Sequence, residues 1–299
     1  MKKIILSRKG LDGGFEGAKP SPILPCGRLL SLPIPVTKKQ KRETDEQGIP
    51  YDDLKFDGRS IREIIDPLHN YRFDYDEAHL DPDLDRDRFE PREQGWKRTF
   101  GQQGRAQAAL KDVDKGDLFL FFGWFRRTRY ENNQLRYLQP RKCGKDLHVI
   151  FGWLQVGEIL KVQRDQNQDT IPKWLHYNPH IVNRGLREYS NNTIYIASDH
   201  LTLDGHNLSK QGAGTFPCFK PSLQLTAPDE KARAHWCLPK WLQNNLPGFT
   251  LPSRKNKKWQ CNNEYVPFDS DGRGQEFVFD VPEPDDPDVM KWLKGLFEG

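Results

Sequence analysis

Three polar segments of the chain hold residue types that bind anions or transfer protons. The first has the sequence RKGLDGG at positions 8–14, with two cations, one carboxylate and three glycines. Charged side chains beside flexible backbone are suited to a phosphate or a nucleotide. Arg8, Lys9 and Asp12 are therefore candidate nucleotide-binding residues. The spacing matches neither a P-loop nor a Rossmann fingerprint, and a charged turn after a strand is the alternative.

The second segment places an imidazole beside carboxylates. His79, Asp81 and Asp83 alternate in the sequence HLDPD, and alternate residues of an extended chain point to the same side. Such a group can exchange protons or hold a divalent cation. His79 and Asp81 are candidate catalytic residues. Because the flanking chain is acidic throughout, a solvated surface is the alternative.

A third polar segment opens a late strand. Arg273, Gln275 and Glu276 lie in the sequence RGQEFVF, and strand ends beside loops often carry catalytic side chains. We take Glu276 as a candidate catalytic residue, and Arg273 and Gln275 as candidate nucleotide-binding residues. An ordinary surface turn is the alternative.

Two Gly-Trp steps add flat aromatic surfaces. Trp124 follows Gly123, and Trp153 follows Gly152; glycine allows close approach, and an indole can stack on a base. Gln155, a polar residue in an apolar run, suits hydrogen bonds to a base edge. Trp124, Trp153 and Gln155 are therefore candidate nucleotide-binding residues. Packing of both indoles in the core is the competing interpretation.

The elements that must position these residues are mostly strands. Residues 3–7 predict a first strand, and the apolar runs 118–122 and 147–160 predict two central strands buried on both faces. Within the second run, Gly152 and Gly157 predict bulges or corners. Further strands are expected at 193–197, 223–226 and 276–281, and helices at 60–65, 102–110, 231–243 and 288–297. The acidic stretch that ends at Glu93 is expected to cover the surface.

The order of these elements favours an α+β fold, because strands and helices interleave without the regular alternation of a doubly wound sheet. We expect a mixed, strongly curved sheet or a small β-barrel core, with peripheral helices and long loops. Residues 1–299 are expected to form a single compact domain. Its barrel-like core would span residues 100–200, with the loop-rich segment 1–99 and the C-terminal segment 201–299 packed on it.

Composition excludes several classes of protein. Of the 299 residues, 35% are hydrophobic and 29% are charged, which excludes an integral membrane protein and a collagen-like chain. Eight Trp, nine Tyr and seventeen Phe are too many for a disordered polymer. The net charge of +4 is too small to indicate nucleic-acid binding by itself. The basic stretches 126–145 and 254–258 nevertheless offer cations for phosphates.

Cysteine and histidine spacing indicates no metal site. The five cysteines stand singly, with no C-x-x-C pair, which is typical of reduced thiols. His176 and His180 have helical spacing, but Pro179 disfavours a helical metal pair, so we assign no metal ligands. The N-terminus has no signal-peptide pattern. We expect a cytoplasmic protein without membrane contact.

Long stretches of the chain resemble the nucleotide modification associated domain 3 family. They are ILSRKG at 5–10, PSPILP at 20–25, SLPIP at 31–35, HLDPDL at 79–84, FGQ at 100–102, GDLFLFFGWF at 116–125, HVIFGWLQVGE at 148–158 and RGQEFV at 273–278. The resemblance implies a nucleotide- or base-binding protein of bacterial or phage DNA-modification or defence systems. It implies DNA rather than RNA, and other modification-system proteins as partners, but no particular reaction. Gln102, within the FGQ motif, joins the candidate nucleotide-binding residues.

Two weaker resemblances suggest different functions. Residues 116–122, followed by VGEI at 156–159, resemble the β-barrel of PUA-like and EVE-type modules, which implies a non-catalytic reader of modified bases with an aromatic pocket. Arg8 on an early strand and Glu276 on a late strand are similar to paired residues of ADP-ribosyltransferases, which implies NAD. NAD and Mg²⁺ are thus the candidate cofactors. Our first hypothesis is an enzyme that acts on a nucleotide or base; a reader and a structural subunit are the alternatives.

Overall fold

The computed structural model describes residues 1–11, 18–44, 47–70, 75–139, 144–163, 166–183, 188–203, 205–244, 259–272, 274–283 and 286–298. Within them the strands are β1 (Lys3–Arg8), β2 (Ser21–Ile23), β3 (Ile34–Pro35), β4 (Ile49–Pro50), β5 (Lys55–Phe56), β6 (Arg59–Ser60), β7 (Glu77–His79), β8 (Thr99–Gln102), β9 (Leu118–Glu131), β10 (Gln134–Tyr137), β11 (Leu147–Lys161), β12 (Thr193–Ala197), β13 (His200–Leu203), β14 (His206–Gln211), β15 (Ala213–Thr215), β16 (His235–Pro239), β17 (Tyr265–Asp269) and β18 (Glu276–Asp280). The α-helices are α1 (Lys38–Thr44), α2 (Ile61–Leu68), α3 (Gly104–Ala109), α4 (Pro179–Val182) and α5 (Pro287–Phe297). The expected α+β class is confirmed.

The largest sheet has nine strands and runs in the order β18-β1-β9-β11-β12-β8, with β2, β10 and β15 paired alongside. β1 and β9 are parallel, whereas the other neighbours in this order are antiparallel. Strands β18 and β8 are the two ends of the order, and among the described residues no ladder joins them. The PUA-like barrel expected from the weaker resemblance is therefore not confirmed, because the sheet stays open.

β9 and β11 lie at the centre of the sheet because neither of their faces is exposed. Residues 118–123 and 147–156 are buried at every position, as expected for strands that are apolar on both faces. The register of β11 shifts between Ile150 and Gly152 and again between Val156 and Glu158. A Cβ atom at Gly157 would lie 2.7 Å from the backbone of Ser198. The prediction of two central strands with bulges at the glycines is confirmed.

The aromatic side chains of β9 separate into two layers, because successive strand residues point to opposite faces. On one face Phe119 and Phe121 pack against Phe100 of β8, with ring centroids 5.1 Å apart in both pairs. On the opposite face Phe122 meets a second aromatic group, formed by His148, Trp236 and Phe277. The hydrophobic cluster that contains both layers extends from Ile4 to Phe297, so both ends of the chain contribute to it.

The C-terminal third differs from the sequence-based expectation. Residues 231–243 were expected to be helical, but His235–Pro239 forms β16, which pairs with β17, and Lys240–Asn244 is a 3₁₀ helix. Trp236 is fully buried in the core, and pairing with a later strand overrides local helical propensity. The strand expected at 223–226 is also wrong, since Pro221–Leu223 is a 3₁₀ turn followed by isolated bridges.

The other expected helices are present with different bounds. α2 continues through Pro67 instead of ending before it, α3 is shorter than expected, and α5 begins one residue earlier than predicted. No helix in the described part of the chain is long and apolar enough to cross a membrane.

A disulfide joins Cys237 of β16 to Cys261, with the two Cα atoms 5.7 Å apart. This bond corrects the expectation of reduced thiols. The two cysteines are 24 positions apart, a spacing that no short motif marks, and the pairing of β16 with β17 brings them together. Cys26 and Cys218 are free thiols.

Replacing Phe122 with Ala should lower the free energy of unfolding by about 3–5 kcal/mol, because it leaves a cavity in the second aromatic layer. Urea denaturation of the purified protein measures the change. Tyr130→Ala is the matched control, since Tyr130 lies on the same strand but is 62% exposed; it should change the stability by less than about 0.5 kcal/mol. Equal losses for the two variants would contradict this account of the core.

Candidate functional site

A buried carboxylate lies between the two ends of the main sheet. The Oε1 atom of Glu276 accepts hydrogen bonds from Lys9 Nζ at 2.8 Å and from Gln102 Nε2 at 2.7 Å. The side chains of Lys9 and Glu276 are only 5% and 1% exposed, so water screens this ion pair little. We call Lys9, Gln102 and Glu276 the seam, because they join the end strands β18 and β8.

Strand register brings the seam together. Ser7 of β1 is paired with Glu276 of β18, and directly paired residues project from the same face. Lys9 lies two residues after Ser7 and therefore shares that face. Gln102 is the last residue of β8, at the opposite end of the strand order. Because a side-chain hydrogen bond spans only a few ångströms, the sheet must curl until its two ends approach each other.

The seam makes one more contact and contains a buried oxygen atom that accepts no hydrogen bond from the described part of the chain. Lys9 Nζ lies 4.5 Å from the centroid of the Phe100 ring, within the range of a cation–π contact. Glu276 Oε2 and Ser7 Oγ are buried and have no hydrogen-bond partner among the described residues. Buried oxygen atoms of this kind call for an explanation, and a place for a proton or a small polar group is one.

A second polar group, which we call the acid–base group, contains Asp81, His180 and His79. Asp81 Oδ1 accepts a hydrogen bond from the backbone N–H of Gly101 at 2.7 Å, and Asp81 Oδ2 lies 3.8 Å from His180 Nε2. The ring of His79 stacks on that of His180 with centroids 6.0 Å apart. Gly101 directly precedes Gln102, so β8 holds Asp81 through its backbone and Glu276 through its next side chain.

The protonation of His180 follows from its neighbour Asn192. The amide nitrogen of Asn192 donates to the backbone oxygen of His180 at 3.0 Å, which turns Oδ1 of Asn192 toward His180 Nδ1 at 2.7 Å. Nδ1 therefore carries a proton and donates it. Nε2 is then the nitrogen that faces Asp81, and it can take up or release a proton there. At 3.8 Å the two groups attract each other electrostatically when His180 is charged, but they are too far apart for a hydrogen bond.

His79 is held in its neutral form. Burial lowers the pKa of His79 to about 4, with the neighbouring His180 acting in the same direction and Asp81 in the opposite one. A neutral imidazole is the form that packs against His180 without charge repulsion.

Glycine at position 101 is required for this arrangement. A Cβ atom there would lie 2.1 Å from Cδ2 of His180, so any side chain would displace the imidazole. Two residues of the FGQ motif thus make three contacts of the site. Gly101 leaves room for His180, and its N–H binds Asp81. Gln102 binds Glu276.

A buried ion pair anchors the segment that follows Asp81. Arg92 donates two hydrogen bonds to the carboxylate of Asp83, at 2.8 and 2.9 Å, and the side chains of the two residues are 2% and 1% exposed. Tyr177 Oη and Trp96 Nε1 also donate to Asp83, at 2.6 and 3.0 Å. This part of the acidic stretch is therefore interior, which corrects the expectation of a solvated surface.

The acid–base group opens onto a cleft. The cleft has a volume of about 500 Å³ and is lined by residues that include Arg28, Phe56, Arg88 and Phe151. It shares Ser31, Asp85, Arg88, Phe151 and Thr215 with a narrower neck of about 40 Å³. Asp81 and Gly10 line the neck. The cleft is large enough for a small-molecule ligand, and Asp81 lines the cavity that adjoins it.

The structure therefore brings together Lys9, Gln102 and Glu276, and next to them His79 and Asp81. Arg8 is the last residue of β1, directly before Lys9, and faces the opposite side, where its guanidinium is 5.8 Å from the centroid of Phe122. The pairing of Arg8 with Glu276 in a shared NAD site stays a prediction. Gln275 is exposed, and Asp12 and Arg273 lie outside the described residues.

The other three candidates lie away from the seam. Trp124 has Arg233 over its ring at 4.3 Å and donates to Asp146 at 2.7 Å. Trp153 is 8% exposed in the hydrophobic core and packs against Phe297. The amide of Gln155 is hydrogen-bonded to the backbone of Thr202. The nucleotide-binding roles of these residues stay predictions.

Sequence reasoning missed His180, Arg88 and Arg92. His180 was considered only as part of a helical metal pair, which Pro179 disfavours; that proline begins α4, and His180 is buried in it. Arg88 and Arg92 were hidden in an acidic stretch that appeared solvated. In the described part of the chain, no group of three or more His, Cys, Asp or Glu side chains could hold a metal ion.

Comparison with protein families gives one match. The sequence model of the family described as nucleotide modification associated domain 3 matches residues 3–280. Neither the curated proteins nor the solved structures contain a significant match to the chain.

Lys9→Met should lower the free energy of unfolding by about 3–5 kcal/mol, because it leaves the Glu276 carboxylate buried without its cation. The double variant Lys9→Met, Glu276→Gln should recover part of this loss, since it no longer buries a charge. Urea denaturation of both variants and the wild type tests this. The control is Lys291→Met, which breaks an exposed ion pair with Glu264 and should have little effect. A double variant no more stable than Lys9→Met would contradict a charged seam.

The stability should also depend on pH through His79. Its pKa falls from 6.5 in the unfolded chain to about 4 in the folded one, so the unfolded state binds more protons between these values. The free energy of unfolding is therefore highest above pH 6.5. It decreases by about 3 kcal/mol, through this group alone, as the pH falls toward 4. His79→Gln should flatten the acid limb of the stability profile, whereas the exposed control His206→Gln should not. Identical profiles for the two variants would show that His79 is not neutral.

Proposed function

The chain belongs to the nucleotide modification associated domain 3 family, and on that premise we propose that it is an enzyme that transfers a proton to or from a nucleotide or a DNA base during modification. The observation that carries the proposal is the position of Asp81. Its carboxylate lines the neck of the cleft, is held by the N–H of Gly101 at 2.7 Å and faces His180 Nε2 at 3.8 Å.

Asp81 and His180 can act as general base and general acid. Asp81 accepts a proton from a substrate group in the neck. His180 can take that proton through Nε2, because its Nδ1 proton is directed to Asn192, once substrate binding closes the 3.8 Å between Nε2 and Asp81. Two other buried carboxylates nearby, Asp83 and Glu276, are paired with Arg92 and Lys9. Asp81 instead faces an imidazole, which makes it the carboxylate suited to reversible proton transfer.

Glu276 acts as a positioning residue in this proposal. Its side chain is 1% exposed, and it binds Gln102, the residue after the glycine that holds Asp81. The seam therefore fixes β8 and, through it, the orientation of the Asp81 carboxylate. The ammonium group of Lys9 is paired with Glu276 in the interior. This contact supports a positioning role for Lys9 more than direct binding of a phosphate.

The size of the cleft supports a single nucleotide or a base that has left its helix. A volume of about 500 Å³ fits a small-molecule ligand, and enzymes that act on DNA bases take the base out of the stack. The proposal includes action in a bacterial or phage DNA-modification or defence system, as the resemblance implies.

The reader hypothesis finds less support at the indoles chosen for it. Arg233 covers the ring of Trp124, and Trp153 lies in the core. An aromatic cavity of about 320 Å³ does lie elsewhere, lined by Trp241, Tyr265 and Trp292. It contains none of the candidate catalytic residues.

Mass spectrometry of substrate mixtures tests the proposal. The purified protein is incubated with mononucleotides and with modified and unmodified DNA, with and without NAD and Mg²⁺. We expect a product of changed mass, and Asp81→Asn should lower its rate at least about 100-fold. Asp87→Asn is the control, since Asp87 lines the same cleft but is exposed. Nucleotide binding without any product would reject the enzyme and favour the reader.

A further inference from the structure

Arg88 is a buried cation that the acid–base group does not use. It ends a 3₁₀ turn, is 7% exposed, and has an Nη1 atom with no hydrogen-bond partner among the described residues. Nη2 lies 3.7 Å from Asp85 Oδ2, which is too far for a hydrogen bond. The guanidinium lies 5.5 Å from the centroid of the Phe56 ring. A buried guanidinium with an unused donor is suited to an acceptor atom of a ligand.

Arg88 is a lining residue of both the cleft and the neck. The neck, with a volume of about 40 Å³, also contains Asp81 and Asp85. A space of this size admits one or two small groups, since a single water needs about 10–15 Å³. A ligand edge in the neck therefore meets a hydrogen-bond donor, Arg88, and a hydrogen-bond acceptor, Asp81, at the same time.

The charges around the cleft argue against a phosphate in this position. Three cations line the cleft and neck, namely Arg28, Lys55 and Arg88, against five carboxylates, namely Asp57, Asp81, Asp85, Asp87 and Glu90. Arg28 is in addition paired with Asp57. The net negative lining repels a phosphate group, whereas a neutral group that offers one acceptor and one donor matches it.

We propose that the neck binds the lactam edge of a nucleobase, in which a carbonyl stands beside a ring N–H. Arg88 donates to the carbonyl oxygen, and Asp81 accepts from the ring N–H. When Asp81 removes that proton, the electron pair left on nitrogen delocalises onto the carbonyl oxygen, where Arg88 stabilises the negative charge. Hypoxanthine, guanine, uracil and thymine carry this edge, and adenine does not.

This inference rests on the proposed function, because it takes a nucleoside as the substrate. It adds the class of base that is bound, and it places the base, and not the phosphate, in the neck. It makes Arg88 a specificity-determining residue. The phosphate remains outside the neck, so the affinity for the base should not depend on it.

Isothermal titration with inosine and adenosine tests the inference, because the two nucleosides differ only at the edge in question. The wild-type protein should bind inosine at least about tenfold more tightly, since a site with buried polar groups rejects an analogue that cannot pair with them. Arg88→Met should remove this preference. The control Arg86→Met changes an exposed arginine two positions away and should keep it. Inorganic phosphate in large excess should not displace inosine.

Several results would overturn the inference. They are equal affinities of the wild type for the two nucleosides, no binding of either, displacement of inosine by phosphate, and an unchanged preference in folded Arg88→Met. Circular dichroism establishes folding, and if Arg88→Met does not fold, Arg88→Lys replaces it, which keeps the charge but loses the planar donors. Preference for inosine without product from any nucleotide supports this inference and rejects the proposed enzyme. Product from adenine nucleotides alone supports the proposed enzyme and rejects this inference.

Discussion

A buried ion pair holds the main sheet curled, in the place where a barrel would have a ladder of backbone hydrogen bonds. Glu276 on one end strand binds Lys9 and, across the gap, Gln102 on the other end strand. Burying these charges carries a desolvation cost that good geometry and additional hydrogen bonds must offset. The whole candidate site depends on this contact, because it fixes β8, whose glycine both holds Asp81 and leaves room for His180.

Two buried ion pairs adjoin the acid–base group. Glu276, paired with Lys9, binds the residue that follows Gly101, and Asp83, paired with Arg92, lies two positions after Asp81. Each pair neutralises a carboxylate that would otherwise raise the cost of a negative charge on Asp81. In the proposed mechanism, these contacts hold Asp81 and His180 near each other, and only the remaining 3.8 Å between Oδ2 and Nε2 has to close for a proton to pass.

Local sequence patterns predicted the parts of the fold that depend on local properties. β9 and β11 were recognised because their apolar runs are continuous, and the bulges at Gly152 and Gly157 because glycine permits close backbone contact. β16 was taken for a helix because its partner β17 and its disulfide are distant in the chain. In the site, Lys9, Asp81 and Glu276 were selected by residue type, and Gln102 by the resemblance of the FGQ motif. Arg88, Arg92 and His180 were not, because their importance depends on burial and on contacts between segments far apart in the sequence.

The disulfide between Cys237 and Cys261 makes residues 237–261 a covalent ring. A protease that cuts one peptide bond inside this ring does not release the C-terminal fragment, which carries β18 with Glu276 as well as α5. Reduction of the same nicked molecule would leave that fragment held only by its packing and hydrogen bonds. Glu276, which belongs to the ion pair that curls the sheet, could then dissociate from Lys9, the residue that follows β1. The disulfide thus keeps Glu276 attached to the rest of the protein after a cut between Cys237 and Cys261.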